Sequence, residues 1–197
     1  MQVVLATWNA HKVREIREIL ADAPFTVVCL ADLPPIPESP ETGHTFAENA
    51  LQKARFVAER IDGVVVADDS GLEVDALGGA PGVHSKRFTP EATHAANNHH
   101  LLERMDGKSE RTARFRCCIA VVFGAEARTA QGSCEGTILT APRGEGGFGY
   151  DPLFAPIELG GRSMAEASAA EKNAISHRGR AFRALPRLLS ELGLLSG

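Results

Sequence analysis

Along the chain, short apolar runs alternate with segments whose apolar positions recur every three or four residues. The runs QVVLAT (residues 2–7), FTVVCL (25–30) and VVVA (64–67) read as buried strands. Between the first two, AHKVREIREILAD (10–22) places Val13, Ile16, Ile19 and Leu20 on one helical face, which makes a β-α-β opening. Thr45 and Glu48 form a capping box for a helix reaching about residue 60, with Phe46, Ala50, Ala54, Val57 and Ile61 as its inner stripe. Residues 91–105 read as a helix, 112–123 as the longest strand, 128–139 as its antiparallel neighbour and 153–155 as a short strand. Ser168 and Glu171 cap a further helical turn, and residues 176–193 form a closing amphipathic helix bent at Pro186. Strands alternating with helices predict an α/β fold.

Two segments interrupt the pattern. LPPIPESPETGH (33–44) carries four prolines and is a loop, a candidate lid or hinge. APRGEGGFGYDP (141–152) is a glycine-rich loop around one aromatic residue. With 197 residues, 44% apolar and 23% charged, the chain is expected to be one domain over residues 1–197, or two lobes sharing a cleft. A net charge of −4 supplies no field for a nucleic-acid polymer, so any phosphate ligand must be held locally. The four cysteines, Cys29, Cys117, Cys118 and Cys134, lack a C-x-x-C spacing, which argues against a disulfide scaffold or zinc site and for a reducing cytoplasm. No apolar stretch is long enough for a membrane, and charged residues come too early for a signal peptide.

Candidate chemistry gathers at four places. Asp68 and Asp69 follow the strand VVVA, where open α/β sheets collect ligands. They fit either a turn with two solvated carboxylates or a hard cation with one ligand and one group holding water, Glu41 being a further ligand. In LATWNAHK (5–12), Thr7, Asn9 and Lys12 surround a helix start suited to an anion, although Asn9 equally fits a simple N-cap. The loop glycines, Gly149 among them, let backbone approach a flat ligand stacked on Phe148, with Tyr150 and Asp151 as polar edges; a flexible hairpin is the alternative. His177 and Arg178 stand in a first helical turn, where cations oppose the macrodipole, so an anion or a purine carbonyl is the better partner. His94, His99 and His100 miss metal-ligand spacing and read as a solvated face.

Taken in order, TWNAHK, ETGHTFAENALQKA, ADDSGLEVDALGGAPGVHS, GGFGYDPLF and EKNAISHRG resemble the inosine/xanthosine triphosphate pyrophosphatase family, over nearly the whole chain. The resemblance implies an elongated α/β domain with a central mixed sheet, helices around it and a cleft between two lobes, in a homodimer. It implies hydrolysis of ITP, dITP or XTP to the monophosphate and pyrophosphate with Mg²⁺. Thr7, Asn9 and Lys12 would hold the triphosphate, Lys53, Ser70 and Lys172 would make further phosphate or loop contacts, Glu41, Asp68 and Asp69 would hold the metal, and Asp69 would be the base. Phe148, Asp151, His177 and Arg178 would hold the purine. Trp8 departs from the family's glycine; an ordinary φ with the indole turned away from the phosphates is expected. Two rivals remain in view: a related pyrophosphatase with another base preference, and a nucleotide sensor without catalysis.

Overall fold

A computed structural model describes residues 1–195. Strand β1 (Gln2–Leu5) leads into helix α1 (Ala10–Ile19) and returns as β2 (Thr26–Cys29). Helix α2 (Phe46–Ala58) precedes β3 (Val64–Val74), and α3 (His94–Arg104) precedes the long strands β4 (Thr112–Phe123) and β5 (Glu126–Ile138). The short strand β6 (Phe154–Pro156) and helices α4 (Ala169–Ile175), α5 (His177–Phe182) and α6 (Leu185–Glu191) complete the order.

The strands form one six-stranded sheet in the order β2-β1-β3-β4-β5-β6. β1 pairs parallel with both β2 and β3, placing Val4 beside Val28 and Val65. β5 pairs antiparallel with β6, so the sheet is mixed. The chain divides into two compact units. The first holds Met1–Asp69, Cys117–Gly132 and the chain from Arg178 onward, the second Ser70–Arg116 and Ser133–His177. Each has its own core. Val3, Leu5, Ile16, Ile119, Phe182 and Leu185 pack in the first. Leu72, Leu101, Met105, Phe115, Leu153 and Phe154 pack in the second. Among the described residues no helix is long and apolar enough to cross a membrane.

Both expected capping boxes are present, at Thr45 with Glu48 and at Ser168 with Glu171. Two expectations need correction. The strand read as VVVA runs on through DDSGLEV, so Asp68 and Asp69 lie inside a strand and not at its end. The closing helix is two helices, with Pro186 in the first turn of α6. A proline tolerates that first turn but clashes with the preceding one, which separates the pair.

Candidate active site

In the first unit, the turn after β1 is built by short polar side chains. Thr7 Oγ1 accepts the Asn9 N–H at 3.2 Å, and Asn9 Oδ1 accepts the N–H groups of His11 (3.0 Å) and Lys12 (3.2 Å), capping α1. One turn into that helix, Lys12 reaches Asp68 Oδ2 at 2.9 Å. Neighbouring residues of a strand face opposite sides, so the two aspartates of β3 find different partners. Asp68, 3% exposed, also lies 3.5 Å from Arg178 Nη2, and Arg178 Nη1 donates to the buried Glu15 at 2.7 Å. Asp69, 7% exposed, accepts from Lys53 Nζ at 2.9 Å and from Asn49 Nδ2 at 3.2 Å. Buried carboxylates without such partners would be costly, and a turn with two solvated aspartates is ruled out.

The two carboxyls differ electrostatically. Burial pushes Asp68 up, but Lys12, Arg178 and Lys53 outweigh it and hold the group below the usual carboxylate range. For Asp69 burial prevails over Lys53 and Lys12, with Glu41 adding to it, and its pKa is raised. Burial also pushes the Cys118 thiol up to about 11, helped by Asp69 and Asp68, so this cysteine is no nucleophile at neutral pH.

Lys53 Nζ stands 3.0 Å from Glu41 Oε1 and 2.9 Å from Asp69 Oδ1. Two carboxylates thus converge on one cationic centre, a donor set that suits a hard divalent cation completing its shell with phosphate and water oxygens. The three carboxylates expected to act as one set divide: Glu41 and Asp69 share Lys53, whereas Asp68 faces Lys12 and Arg178. Among the described residues no group of three or more His, Cys, Asp or Glu side chains is placed to hold a metal.

The second unit contains the other candidate residues. Asp151 Oδ2 accepts the Phe148 N–H at 2.8 Å and the Lys172 ammonium at 2.6 Å, and Lys172 Nζ lies 4.8 Å from the Phe148 ring centre. A Cβ at Gly147, whose φ is 70°, would stand 2.1 Å from Asp151 Oδ2, so glycine is required there. Tyr150 is buried and its hydroxyl donates to the Ser85 carbonyl at 2.8 Å, turning inward as a strut where a polar edge for a ligand was expected. The His177 imidazole stacks on Phe115, with centroids 4.8 Å apart and 13° between planes. Ser70 is half-buried in β3, next to Asp69.

Arg178, expected at a purine edge, directs its guanidinium to Glu15 and Asp68. A guanidinium only 2% exposed needs such carboxylates. Trp8 keeps an ordinary φ, since Ala92 alone among the described non-glycine residues has a positive one. Its half-exposed indole lines a pocket with Val13, Arg17, Cys29 and Ala31. Glu15, Asn49 and Asn98 were not among the residues expected from sequence. Asn49 had a signal: three residues after Phe46, it is a polar residue on an apolar helical face. His94 is exposed, as expected, and its ring lies 6.3 Å from that of Phe148.

Residues 3–188 match the Ham1 family. A dITP/XTP pyrophosphatase of Desulforamulus reducens is 48% identical over 196 residues, 98% of this chain and 97% of that protein. The Staphylococcus aureus Ham1 protein superposes with a TM-score of 0.86 at 36% identity, covering 98% of this chain and all of its own. A HAM1 protein from Coxiella burnetii gives 0.85 at 40% identity, over 97% and 99%. With that match along nearly its whole length, on the same mixed-sheet α/β fold, the chain belongs to the Ham1 family.

Proposed function

We propose that this protein hydrolyses the non-standard purine nucleoside triphosphates ITP, dITP and XTP to the monophosphate and pyrophosphate. The observation that carries this reading is the adjacent buried pair Asp68 and Asp69 with separate partners, Lys12 and Arg178 for the first, Lys53 and Asn49 for the second. Asp68 stays ionised and fixes Lys12 and Arg178. Asp69, met by one lysine and the Asn49 amide where Asp68 meets two cations, is the better placed of the two to take a proton from water. That water attacks the α-phosphorus, the bond to the bridging oxygen breaks, and pyrophosphate leaves with the electron pair. Lys12 and Lys53 offset charge on the phosphates, with Thr7, Asn9 and Ser70 as hydrogen-bonding neighbours. Glu41 and Asp69 would hold Mg²⁺, which when bound neutralises phosphate charge and makes its water more acidic. Phe148 offers a stacking face, and His177 is left as the group favouring a 6-oxo over a 6-amino purine, since Arg178 is committed to Glu15 and Asp68. A reducing cytoplasm fits four buried cysteines that form no disulfide among the described residues, and the homodimer is what the family resemblance implies.

A panel of nucleoside triphosphates with Mg²⁺, scored for pyrophosphate against orthophosphate, tests the proposal. ITP, dITP or XTP is expected to exceed ATP and GTP at least ~100-fold in kcat/KM, about 2.7 kcal/mol of discrimination. Equal turnover of ITP and ATP refutes the specificity, and orthophosphate as first product refutes the bond assignment.

A further inference from the structure

Phe148 is flanked by two glycines in the left-handed region, Gly147 at φ 70° and Gly149 at φ 65°. Such backbone has little stiffness of its own, yet a stacking surface binds best when its ring is already in place. Part of the restraint is internal to the loop. Asp151 Oδ2 accepts the Phe148 N–H at 2.8 Å, and the Asp151 N–H donates to the Phe148 carbonyl at 3.3 Å. The other part comes from α3. Asn98 Nδ2 donates to the Gly149 carbonyl at 3.0 Å. His94, one turn earlier on the same helical face, sets its ring 6.3 Å from that of Phe148, inclined by 36°.

The Gly149 carbonyl fixes which way the Asn98 amide points, because only the NH₂ group can face it. The opposite atom, Asn98 Oδ1, is buried with no hydrogen-bond partner among the described residues. An orphaned acceptor is unfavourable for folding, which argues against a merely structural asparagine.

We propose, on the basis of the nucleotide hydrolysis set out above, that His94 and Asn98 are positioning residues that hold Phe148 as a preset stacking surface for the purine. Without the tether the ring and its two glycines sample other orientations, and the base must order them on binding. Affinity for the base then falls, while chemistry at the phosphates is retained.

The test uses Asn98→Ala, which deletes the tether, and Asn98→Asp, which sets a carboxylate against the carbonyl. Each is expected to raise KM for ITP by about 5- to 10-fold with kcat within about 2-fold of wild type. The inhibition constant of inorganic tripolyphosphate, which carries no base, should not move. His94→Ala should raise KM by about 2- to 3-fold, and His94→Phe, which keeps a ring, should restore it. Amide hydrogen exchange at residues 148–150 should quicken in both Asn98 variants. An unchanged KM in both overturns the proposal, and so does a tripolyphosphate constant that rises in step with KM. If the wild type leaves ITP intact, the functional reading falls by itself and exchange alone judges the tether: faster exchange supports it and unchanged exchange overturns it.

Discussion

Replacing Lys172 by methionine isolates the buried ion pair beneath the aromatic loop. Lys172 Nζ lies 2.6 Å from Asp151 Oδ2, with side chains 8% and 4% exposed, so solvent screens the pair little. An exposed pair at that distance would contribute no more than about 1 kcal/mol. Here methionine keeps most of the apolar stem but takes the cation from Asp151, to which the Phe148 N–H still donates. Removing one partner of a buried pair costs about 3–5 kcal/mol, because the other charge stays behind. For a chain of this size that is a fall of roughly 6–20 °C in Tm. Thermal melts of Lys172→Met, Asp151→Asn and the double variant would measure it, with the double variant recovering part of the loss since a neutral amide needs no cation. A Lys172→Met protein melting within about 3 °C of wild type, or single-variant losses that simply add, would refute the view that the pair sustains the loop.

Asp69→Asn keeps shape and the Asn49 neighbourhood but removes the proposed base, so kcat for ITP should fall at least ~100-fold with nucleotide binding retained; near-normal kcat in a steady-state assay would remove Asp69 from the mechanism. Trp8→Gly should change kcat/KM for ITP by less than ~10-fold, because the indole lines a pocket with Val13 and Cys29 and its backbone is unstrained; a much larger gain would mean that Trp8 obstructs the phosphate turn. Glu171 is held down to about 2 by Arg162 and by the Ser168 backbone and hydroxyl. A depressed carboxyl stabilises the fold fully above its ordinary value near 4.5 and loses that contribution as pH falls toward 2. Glu171→Gln should therefore melt below wild type at pH 7, with the gap closing between pH 4.5 and 2; a gap independent of pH would contradict the linkage.

What could be read from sequence was what neighbours in sequence decide. Thr45 with Glu48 and Ser168 with Glu171 sit within one turn of each other, and both boxes formed as expected. The length of β3 was hidden, because Asp68, Asp69, Ser70 and Gly71 are turn formers by local preference. Lys12, Lys53 and Arg178, all distant in sequence, keep those carboxylates inside a strand. The break between α5 and α6 was half visible: Pro186 marked it, but a bend and a restart look alike in one dimension. His94 is exposed as its spacing suggests, but its approach to Phe148, far along the chain, leaves no local signal.

The ion-pair network around β3 also bears on how a nucleotide arrives. Glu15, Glu41, Asp68 and Asp69 face Lys12, Lys53 and Arg178, four carboxylates against three cations. The lysines therefore reach an incoming polyanion already matched, and the whole chain carries −4. Such a surface does not draw triphosphates in from a distance, so the association rate should be ordinary and should not fall steeply with ionic strength. On the proposed mechanism discrimination is left to contacts made after arrival, when Lys12 and Lys53 would exchange carboxylate partners for phosphate. In a cell crowded with normal nucleotides, every one of them equally anionic, long-range attraction would chiefly fill the protein with the wrong ones.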